Sequence, residues 1–374
     1  MTACSDALVI GAGIVGAACA DALAARGMRV SVIEAGTVGG GATAAGMGHL
    51  VVMDDNPAEL ALTRYATGLW RQFAGAEPQR HEYSRCGTIW VAADDEEMAA
   101  ARTKQGLLAD SGIACQLLDA QALYRCEPQL RPGLAGGLLV GEDALVYPPK
   151  SARILLERAC GRGARLVRGH VEAITAQGVT LACGSRMDAG LVVVANGLAA
   201  RELLPELPLR AKKGHLAITD RYPDFVRHQL VELAYIKSAH AADGDSVAFN
   251  VQPRPSGQVL IGSSRQFDSV DTDIELPMLG RMLAHATRFL PGLADMNAIR
   301  CWTGLRAASP DGLPLIGPHP ARRNVWLAAG HEGLGITTSL ATAELLAAQI
   351  TGQDGAIAVA PYLPARFAAL AAHA

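Results

Sequence analysis

The chain has 374 residues, 50% hydrophobic and 18% charged, and its 33 Lys and Arg against 36 Asp and Glu give a formal net charge of −3. This composition excludes a disordered chain, which would be poor in apolar residues, and lacks the basic excess of nucleic-acid-binding proteins. The length suits two domains or one large interleaved unit, and the 40 glycines exceed the usual share of about 7%.

The first residues predict a β-turn-α-β unit. Residues 7–10 (ALVI) form a short apolar run, typical of a strand buried on both faces. Residues 14–26 have the Ala-rich composition of a helix packed on a sheet, and residues 29–34 (RVSVIE) form a second apolar strand. The connections are too short for anything but a parallel crossover.

Two later segments repeat this pattern. Residues 191–195 (LVVVA) form a strand that runs into Asn196 and Gly197. Residues 325–328 (VWLA) form another, followed by a glycine-rich turn and an Ala/Leu helix over 338–350. Strands of a parallel sheet therefore lie at the start, the middle and the end of the chain.

The sequence between these segments has a different hydrophobic pattern. The apolar runs 88–92, 215–219, 246–252 and 258–262 are separated by turns rich in Pro and Gly, which is typical of an antiparallel sheet. We therefore predict an α/β fold, a Rossmann-like doubly wound parallel sheet with an interleaved antiparallel β-sheet for substrate. The predicted cofactor domain comprises 1–81, 146–213 and 302–374, and the predicted substrate domain comprises 82–145 and 214–301.

The eight cysteines lack a CxxC pair, so they fit neither a metal site nor a disulfide framework. We expect buried thiols in a reducing compartment and no metal. The apolar stretch 7–20 lacks a basic flank and is shorter than the roughly 18 residues of a spanning helix. The expectation is a cytoplasmic protein without a transmembrane segment, with peripheral contact at the inner membrane left open.

Residues 11–16 match GxGxxG after a strand and before a helix, which is the context that this motif requires. Gly11 allows the tight turn, Gly13 lets backbone N–H groups approach a pyrophosphate, and Gly16 lets the helix pack on the sheet. Glu34 ends the second strand, where a carboxylate binds ribose hydroxyls and disfavours NADP. Both FAD and NAD fit the motif at this point.

Residues 35–50 (AGTVGGGATAAGMGHL) are rich in glycine and indicate a flexible loop against a large cofactor. Here the chain resembles the D-amino-acid oxidase and glycine oxidase family of FAD-dependent oxidoreductases. Residues 302–318 (WTGLRAASPDGLPLIGP) and 330–337 (GHEGLGIT) are similar to that family's C-terminal signature. The resemblance implies that the 35–50 segment runs along the FAD pyrophosphate to the isoalloxazine ring.

The glycine turn 330–335 and a helix starting near Thr337 can direct N–H groups and a helix dipole at flavin N1 and the C2 carbonyl. Negative charge builds there when N5 takes a hydride. His331 either adds to this effect or is a turn residue whose backbone matters more than its ring. The motifs and the resemblance together imply FAD contacts from Gly11, Gly13, Ile14, Val15, Gly16, Glu34, Ala35, Gly41, Ala42, Thr43, Ala45, Gly46, Met47, Gly48, His49, Leu50, Val171, Ala195, Asn196, Gly197, Gly304, Gly330, His331, Gly333, Leu334, Gly335, Ile336 and Thr337.

Arg306 and His49 are the candidate catalytic residues. Arg306 falls at the family position that binds the substrate carboxylate, which a guanidinium can hold through two parallel hydrogen bonds. The alternative is a structural pair with Asp311 or Glu332. His49 either tunes the flavin, helps to deprotonate the amine, or is an ordinary packed histidine.

Other side chains are placed by region only. Tyr235 is a candidate substrate-binding residue, and Tyr222 a further candidate for the same pocket. Lys212 and Lys213 are expected to form a solvated face. Cys301 lies near the signature, so covalent attachment of FAD is left open.

The chain contains no Ser-His-Asp arrangement, HExxH motif or metal cluster, which fits amine oxidation by hydride transfer. Residues 41–55 and 330–340 are most similar to bacterial D-hydroxyproline dehydrogenases. The resemblance implies oxidation of cis-4-hydroxy-D-proline, with electrons passed to a quinone or a partner subunit. The alternatives are an oxygen-using oxidase of glycine, D-amino acids or sarcosine, and a non-catalytic FAD-binding subunit, against which Arg306 argues.

Overall fold

The structure is a computed structural model that describes residues 5–233, 244–267, 269–367 and 370. The strands in chain order are β1 (Ser5–Ile10), β2 (Val30–Glu34), β3 (His49–Leu50), β4 (Thr88–Ala92), β5 (Gln116–Asp119), β6 (Gly136–Val140), β7 (Ala144–Leu145), β8 (Arg165–Arg168), β9 (Val171–Thr175), β10 (Gly178–Leu181), β11 (Arg186–Val194), β12 (Arg210–Arg221), β13 (Gln229–Glu232), β14 (Ser246–Pro253), β15 (Gln258–Phe267), β16 (Ala298–Ala308), β17 (Leu315–Pro318) and β18 (Val325–Ala329). The helices are α1 (Ile14–Ala25), α2 (Gly41–Ala45), α3 (Pro57–Ala76), α4 (Pro78–His81), α5 (Asp95–Asp110), α6 (Ala120–Cys126), α7 (Pro148–Gly161), α8 (Ala200–Leu203), α9 (Leu276–Phe289) and α10 (Gly335–Ile350).

The first sheet has the order β17-β18-β11-β1-β2-β8, with β9 and β10 attached through β11. β1 lies at its centre and pairs in parallel with β2 and β11. The apolar residues of β1 are buried because α1 covers one face of the sheet and a second apolar cluster fills the other. The predicted fold class is confirmed, and the predicted β-turn-α-β unit forms.

The second sheet has the order β16-β12-β15-β14-β13-β4-β6-β5. It is antiparallel as predicted except between β13 and β4, which run parallel. This exception could not be predicted because the two strands lie far apart in the chain. Helix α9 covers one face of this sheet, where the rings of Phe249 and Phe289 stack with centroids 4.3 Å apart.

Two long strands of the second sheet, β12 and β16, run across the predicted domain boundaries. β12 and β16 pair from Arg210 opposite Ala308 to Thr219 opposite Ala298, so the predicted boundaries 213/214 and 301/302 fall inside strands. The sequence texture changes at these points, but the backbone pairing continues across them. The division into two domains remains a prediction whose boundaries would need to move outward along these strands.

Several helices lie where the sequence predicted no element, in particular α3, α5, α7 and α9. Their ends carry ordinary signals: Asn56 accepts a hydrogen bond from the Glu59 N–H at 2.9 Å, and Asp94 accepts one from Glu97 N–H at 2.9 Å. Such caps favour a helix start. Within the described residues, no helix is both long and apolar enough to cross a membrane.

The prediction that Lys212 and Lys213 form a solvated face is wrong. Lys213 is fully buried, and its Nζ lies 2.6 Å from Asp271 and 3.2 Å from Glu275. Lys212 forms an ion pair with Glu332 at 3.3 Å. These acidic partners lie far along the chain, so nothing in the local pattern indicated them.

Candidate active site

A cavity of about 470 Å³ lies between the two sheets. The GxGxxG turn, the 35–49 segment, the end of β11 and the 330–336 turn line it on one side, and β12, β14 and β16 on the other. All the predicted cofactor residues line this cavity except Gly16, Leu50, Leu334 and Thr337.

These four residues lie outside the layer of residues that lines the cavity. A Cβ at Gly16 would collide with the carbonyl oxygen of Gly11, so its glycine serves helix packing. Leu50 belongs to the apolar core, and Leu334 is the residue before α10. The Thr337 hydroxyl donates to the His49 carbonyl at 2.8 Å, so it positions that segment.

The glycine turn presents the start of α1 to the cavity. Gly11 has φ +98°, a conformation that favours glycine, and its N–H donates to the Ile33 carbonyl at 2.8 Å. The N-cap residue of α1, Gly13, has no side chain to cap the helix, and among the described residues the Ile14 N–H donates to the Thr43 hydroxyl at 3.0 Å. N–H groups and a positive helix end therefore face the cavity, which suits a pyrophosphate.

Glu34 is held rigidly at the end of β2. Its two carboxylate oxygens accept hydrogen bonds from the Ala12 and Gly36 N–H groups, each at 2.6 Å. Each carboxylate oxygen still has a lone pair, and the side chain lines the cavity. The carboxylate is thus oriented for ribose hydroxyls.

The segment expected to be a flexible loop is ordered. It contains α2 and β3, and His49 of β3 pairs with Leu145 of β7. The Trp302 indole donates to the Ala45 carbonyl at 3.3 Å, and a Cβ at Gly304 would collide with the Ala45 side chain. The signature strand β16 therefore packs directly on α2, which the glycine content alone did not show.

The second helix start at the cavity belongs to α10. It begins at Gly335, earlier than predicted, and no side chain in the described part of the protein caps it. Gly335 and Ile336 line the cavity, so unpaired N–H groups and the positive end of the helix dipole are available there. This arrangement suits the pyrimidine side of a flavin.

Two of the histidines that line the cavity, His49 and His331, are neutral at pH 7. Burial lowers the pKa of His331 and of His49 to about 4. The His331 Nε2 lies 3.0 Å from the Thr342 hydroxyl, which favours a turn residue over a source of positive charge. Among the described residues, Nε2 of His49 has no hydrogen-bond partner, but its low pKa makes it a poor proton acceptor for the amine.

Arg306 lines the cavity and is anchored through one nitrogen, since Nη1 donates to the Ser264 carbonyl at 3.2 Å. Asp311 pairs instead with Arg366 at 2.7 Å, and Glu332 with Lys212. Within the described part of the chain, no carboxylate lies within ion-pair distance of Arg306. Its remaining donors are therefore free to bind an anion in the cavity.

Sequence reasoning missed several lining residues on this side. Asn250, Ser263 and Glu332 line the cavity, and Oδ1 of Asn250 is buried with no hydrogen-bond partner in the described chain. Gly214 also lines it, directly beneath the Arg306 guanidinium. Asn250, Ser263 and Gly214 lie on strands that carry no motif. Glu332 lies within the 330–337 signature, where the sequence indicates it only as a structural partner of Arg306.

The remaining candidates lie elsewhere. Tyr235 falls outside the described residues. Tyr222 does not line the cavity, and its hydroxyl accepts a hydrogen bond from the Asn297 N–H at 3.1 Å. Cys301 packs with the apolar cluster on the α9 side of the second sheet, and burial raises the pKa of its thiol, so it is not placed for covalent attachment of a cofactor.

Comparison with known proteins agrees with this geometry. A family model described as FAD dependent oxidoreductase matches residues 6–349. A glycine oxidase of Pseudomonas putida is 30% identical over 96% of this chain and 97% of its own. A hydrogen cyanide synthase subunit of Pseudomonas aeruginosa is 27% identical over 97% of this chain and 96% of its own. The crystal structure of glycine oxidase from Geobacillus kaustophilus has a TM-score of 0.87 at 25% identity, covering 97% of this chain and 99% of that one.

Proposed function

This chain belongs to the family of FAD-dependent oxidoreductases, as predicted, and we propose that it oxidises a small cyclic imino acid, with cis-4-hydroxy-D-proline as the first candidate. It is an amino-acid oxidoreductase with FAD as cofactor. The observation that carries the proposal is Arg306, a cavity guanidinium without a carboxylate partner in the described chain. An amino-acid carboxylate is the anion that such a site accepts.

The reaction follows from where the carboxylate is held. When bound in the cavity, FAD would supply the acceptor for the hydride that leaves the substrate Cα. Oxidation removes the Cα hydrogen with two electrons and one proton from the neutral amine nitrogen, leaving a C=N bond. Arg306 fixes the position and rotation of the substrate, and such orientation can supply much of the rate. A strong base is unnecessary, in agreement with the low pKa of His49.

Two observations support a hydroxylated ring. The segments 41–55 and 330–340 are similar to those of bacterial D-hydroxyproline dehydrogenases. Asn250 on β14 also lines the cavity, and its buried Oδ1 has no hydrogen-bond partner among the described residues, so its side-chain amide is available to hydrogen-bond a substrate hydroxyl. In this proposal the electrons pass to a quinone or a partner protein.

The second candidate is an oxidase that uses oxygen and releases hydrogen peroxide. The similarity to glycine oxidases favours it, with glycine, sarcosine or a D-amino acid as substrate. A purely FAD-binding subunit is the third, since one relative is named as a subunit. An unpaired cavity arginine would then have no purpose.

The test is anaerobic titration of the FAD-loaded protein with cis-4-hydroxy-D-proline, glycine, sarcosine and D-amino acids. Bleaching by cis-4-hydroxy-D-proline at the lowest concentration supports the proposal, and preferential bleaching by glycine or sarcosine supports the second candidate. No bleaching by any of these compounds would eliminate both. Oxygen consumption compared with reduction of an artificial dye then separates oxidase from dehydrogenase.

A further inference from the structure

A second charged side chain lies in the cavity with Arg306. Glu332 lines it from the turn before α10 and has φ +48°. Residues with a side chain rarely adopt this left-handed conformation. Such backbone strain persists where the surroundings impose it, often at functional sites. The strained backbone therefore indicates that the surrounding structure fixes the position of this carboxylate.

Glu332 is ionised at neutral pH. Burial alone would raise the pKa of its carboxyl, but Lys212, Arg306 and Arg265 outweigh burial and hold the pKa below its usual range. Burial, together with neighbouring carboxylates that include Glu332, raises the pKa of Glu59 on α3 to about 7, so Glu59 is only partly ionised at neutral pH. The Glu332 carboxylate thus stays anionic inside the cavity.

Lys212 fixes one side of this carboxylate. Its Nζ lies 3.3 Å from Oε1 of Glu332 and 5.4 Å from the centre of the Phe267 ring. Arg306 does not pair with Glu332, because their charged atoms are beyond ion-pair distance. The cavity therefore presents a cation and an anion that are separate from each other, which matches the two charges of a zwitterion.

We propose that Glu332 is a substrate-binding residue that receives the cationic nitrogen of the amino or imino acid whose carboxylate lies on Arg306. The inference rests on the proposed function, since it takes Arg306 as the carboxylate anchor. Glu332 then selects zwitterions over plain carboxylates. Lys212 weakens the negative field at the amine, so that the ammonium can release its proton to solvent water before the Cα hydrogen leaves as a hydride.

The test compares two ligands of similar shape. cis-4-Hydroxy-D-proline carries a cationic ring nitrogen, whereas (2R)-tetrahydrofuran-2-carboxylate has an ether oxygen there and is only anionic. In Glu332→Gln we expect the Kd of the imino acid to rise roughly tenfold, because a charge-assisted hydrogen bond to its nitrogen is lost. The Kd of the tetrahydrofuran acid should fall several-fold, because the repulsion between its ether oxygen and the carboxylate is removed. Kd comes from the concentration dependence of bleaching, or from the flavin spectrum where no bleaching occurs.

A second readout is the pH profile of kcat. A carboxylate beside the amine raises the pKa of the amine, so Glu332→Gln should move the rise in kcat to lower pH. Lys212→Met should have the opposite effects: tighter imino acid, weaker tetrahydrofuran acid and a rise in kcat at higher pH. Glu344→Gln is the matched control, since Glu344 lies on α10 outside the cavity, paired with Arg26 at 2.8 Å; it should change neither Kd.

Equal weakening of both ligands in Glu332→Gln, or no change in either, would overturn the assignment. If that variant does not hold FAD, Lys212→Met carries the test, and unchanged selectivity there has the same meaning. If no compound bleaches the wild-type flavin, the proposed function fails, whereas bleaching without opposite shifts of the two Kd values refutes Glu332 alone.

Discussion

Gly214 determines where the Arg306 guanidinium can lie. It sits on β12 directly opposite Gly304 of β16, and a Cβ built on it would be 2.5 Å from Nη2, 2.6 Å from Nη1 and 2.8 Å from Cζ of Arg306. Since non-bonded heavy atoms settle at about 3.5 Å or more, Gly214→Ala should push the guanidinium away by about 1 Å. The arginine is the flexible partner, so the fold should tolerate the change.

The expected result is slower catalysis by a protein that still folds and binds FAD normally. A misplacement of about 1 Å can cost roughly 100-fold in rate, so kcat/KM should fall by about that factor. Gly214 has no positive φ, and Gly→Ala at such positions changes the free energy of unfolding by only about 0.4–1 kcal/mol. Thermal unfolding and flavin content should therefore stay close to wild type.

The assay is steady-state kinetics with whichever substrate bleaches the flavin, together with flavin absorbance per protein and Tm. Gly280→Ala on α9 is the matched control, because a Cβ there meets nothing within 4 Å; it should leave kcat/KM unchanged. An unaltered kcat/KM in Gly214→Ala would refute the reasoning. A fall in kcat/KM that accompanies loss of FAD would show that the effect acts through the fold.

Arg306→Ala should raise KM by roughly 100-fold, since loss of a buried charge pair costs about 3 kcal/mol, while flavin absorbance per protein stays at the wild-type level; unchanged kinetics would remove Arg306 from the site. Gly304→Ala should push α2 away from β16, because the new methyl group would collide with the Ala45 side chain, at a cost of about 1–3 kcal/mol. The variant should therefore lose FAD on gel filtration, and retention of FAD at the wild-type level would contradict this packing. Burial raises the pKa of Asp143 to about 7, so the folded state binds the carboxyl proton more tightly than the unfolded state does. Protonated Asp143 therefore stabilises the fold fully below about pH 4, and this stabilisation is lost as the pH rises through about 7. The free energy of unfolding of wild type relative to Asp143→Asn, from urea titrations at pH 5 and pH 8, should therefore fall with pH, and a constant difference would show that Asp143 does not titrate in this range.

Local patterns predicted what depends on neighbours in the chain. The apolar run before Gly11, the Ala-rich helix after it and Glu34 at the end of β2 form one continuous unit, so their spacing alone indicated a dinucleotide fold. The signature around Arg306 and the turn before α10 were found in the same way, through short stretches with a distinctive order.

Contacts between distant segments could not be predicted in this way. Lys213 appeared as a surface charge because Asp271 and Glu275, which neutralise it in the interior, lie on another segment. The parallel pairing of β13 with β4 and the long pairing of β12 with β16 likewise depend on which strands meet in space.

The residues themselves predicted the fold class and FAD as the cofactor, and indicated Arg306 as a candidate anchor for a carboxylate, because turn geometry and helix starts depend on short stretches of chain. The residues that surround this candidate anchor became apparent only in the tertiary structure. Asn250, Gly214 and Glu332 come from two strands and a turn, and they line the same cavity as Arg306 through the strand order β16-β12-β15-β14 of the folded sheet. Charge, burial and distance combine there across segments that share no pattern in the sequence.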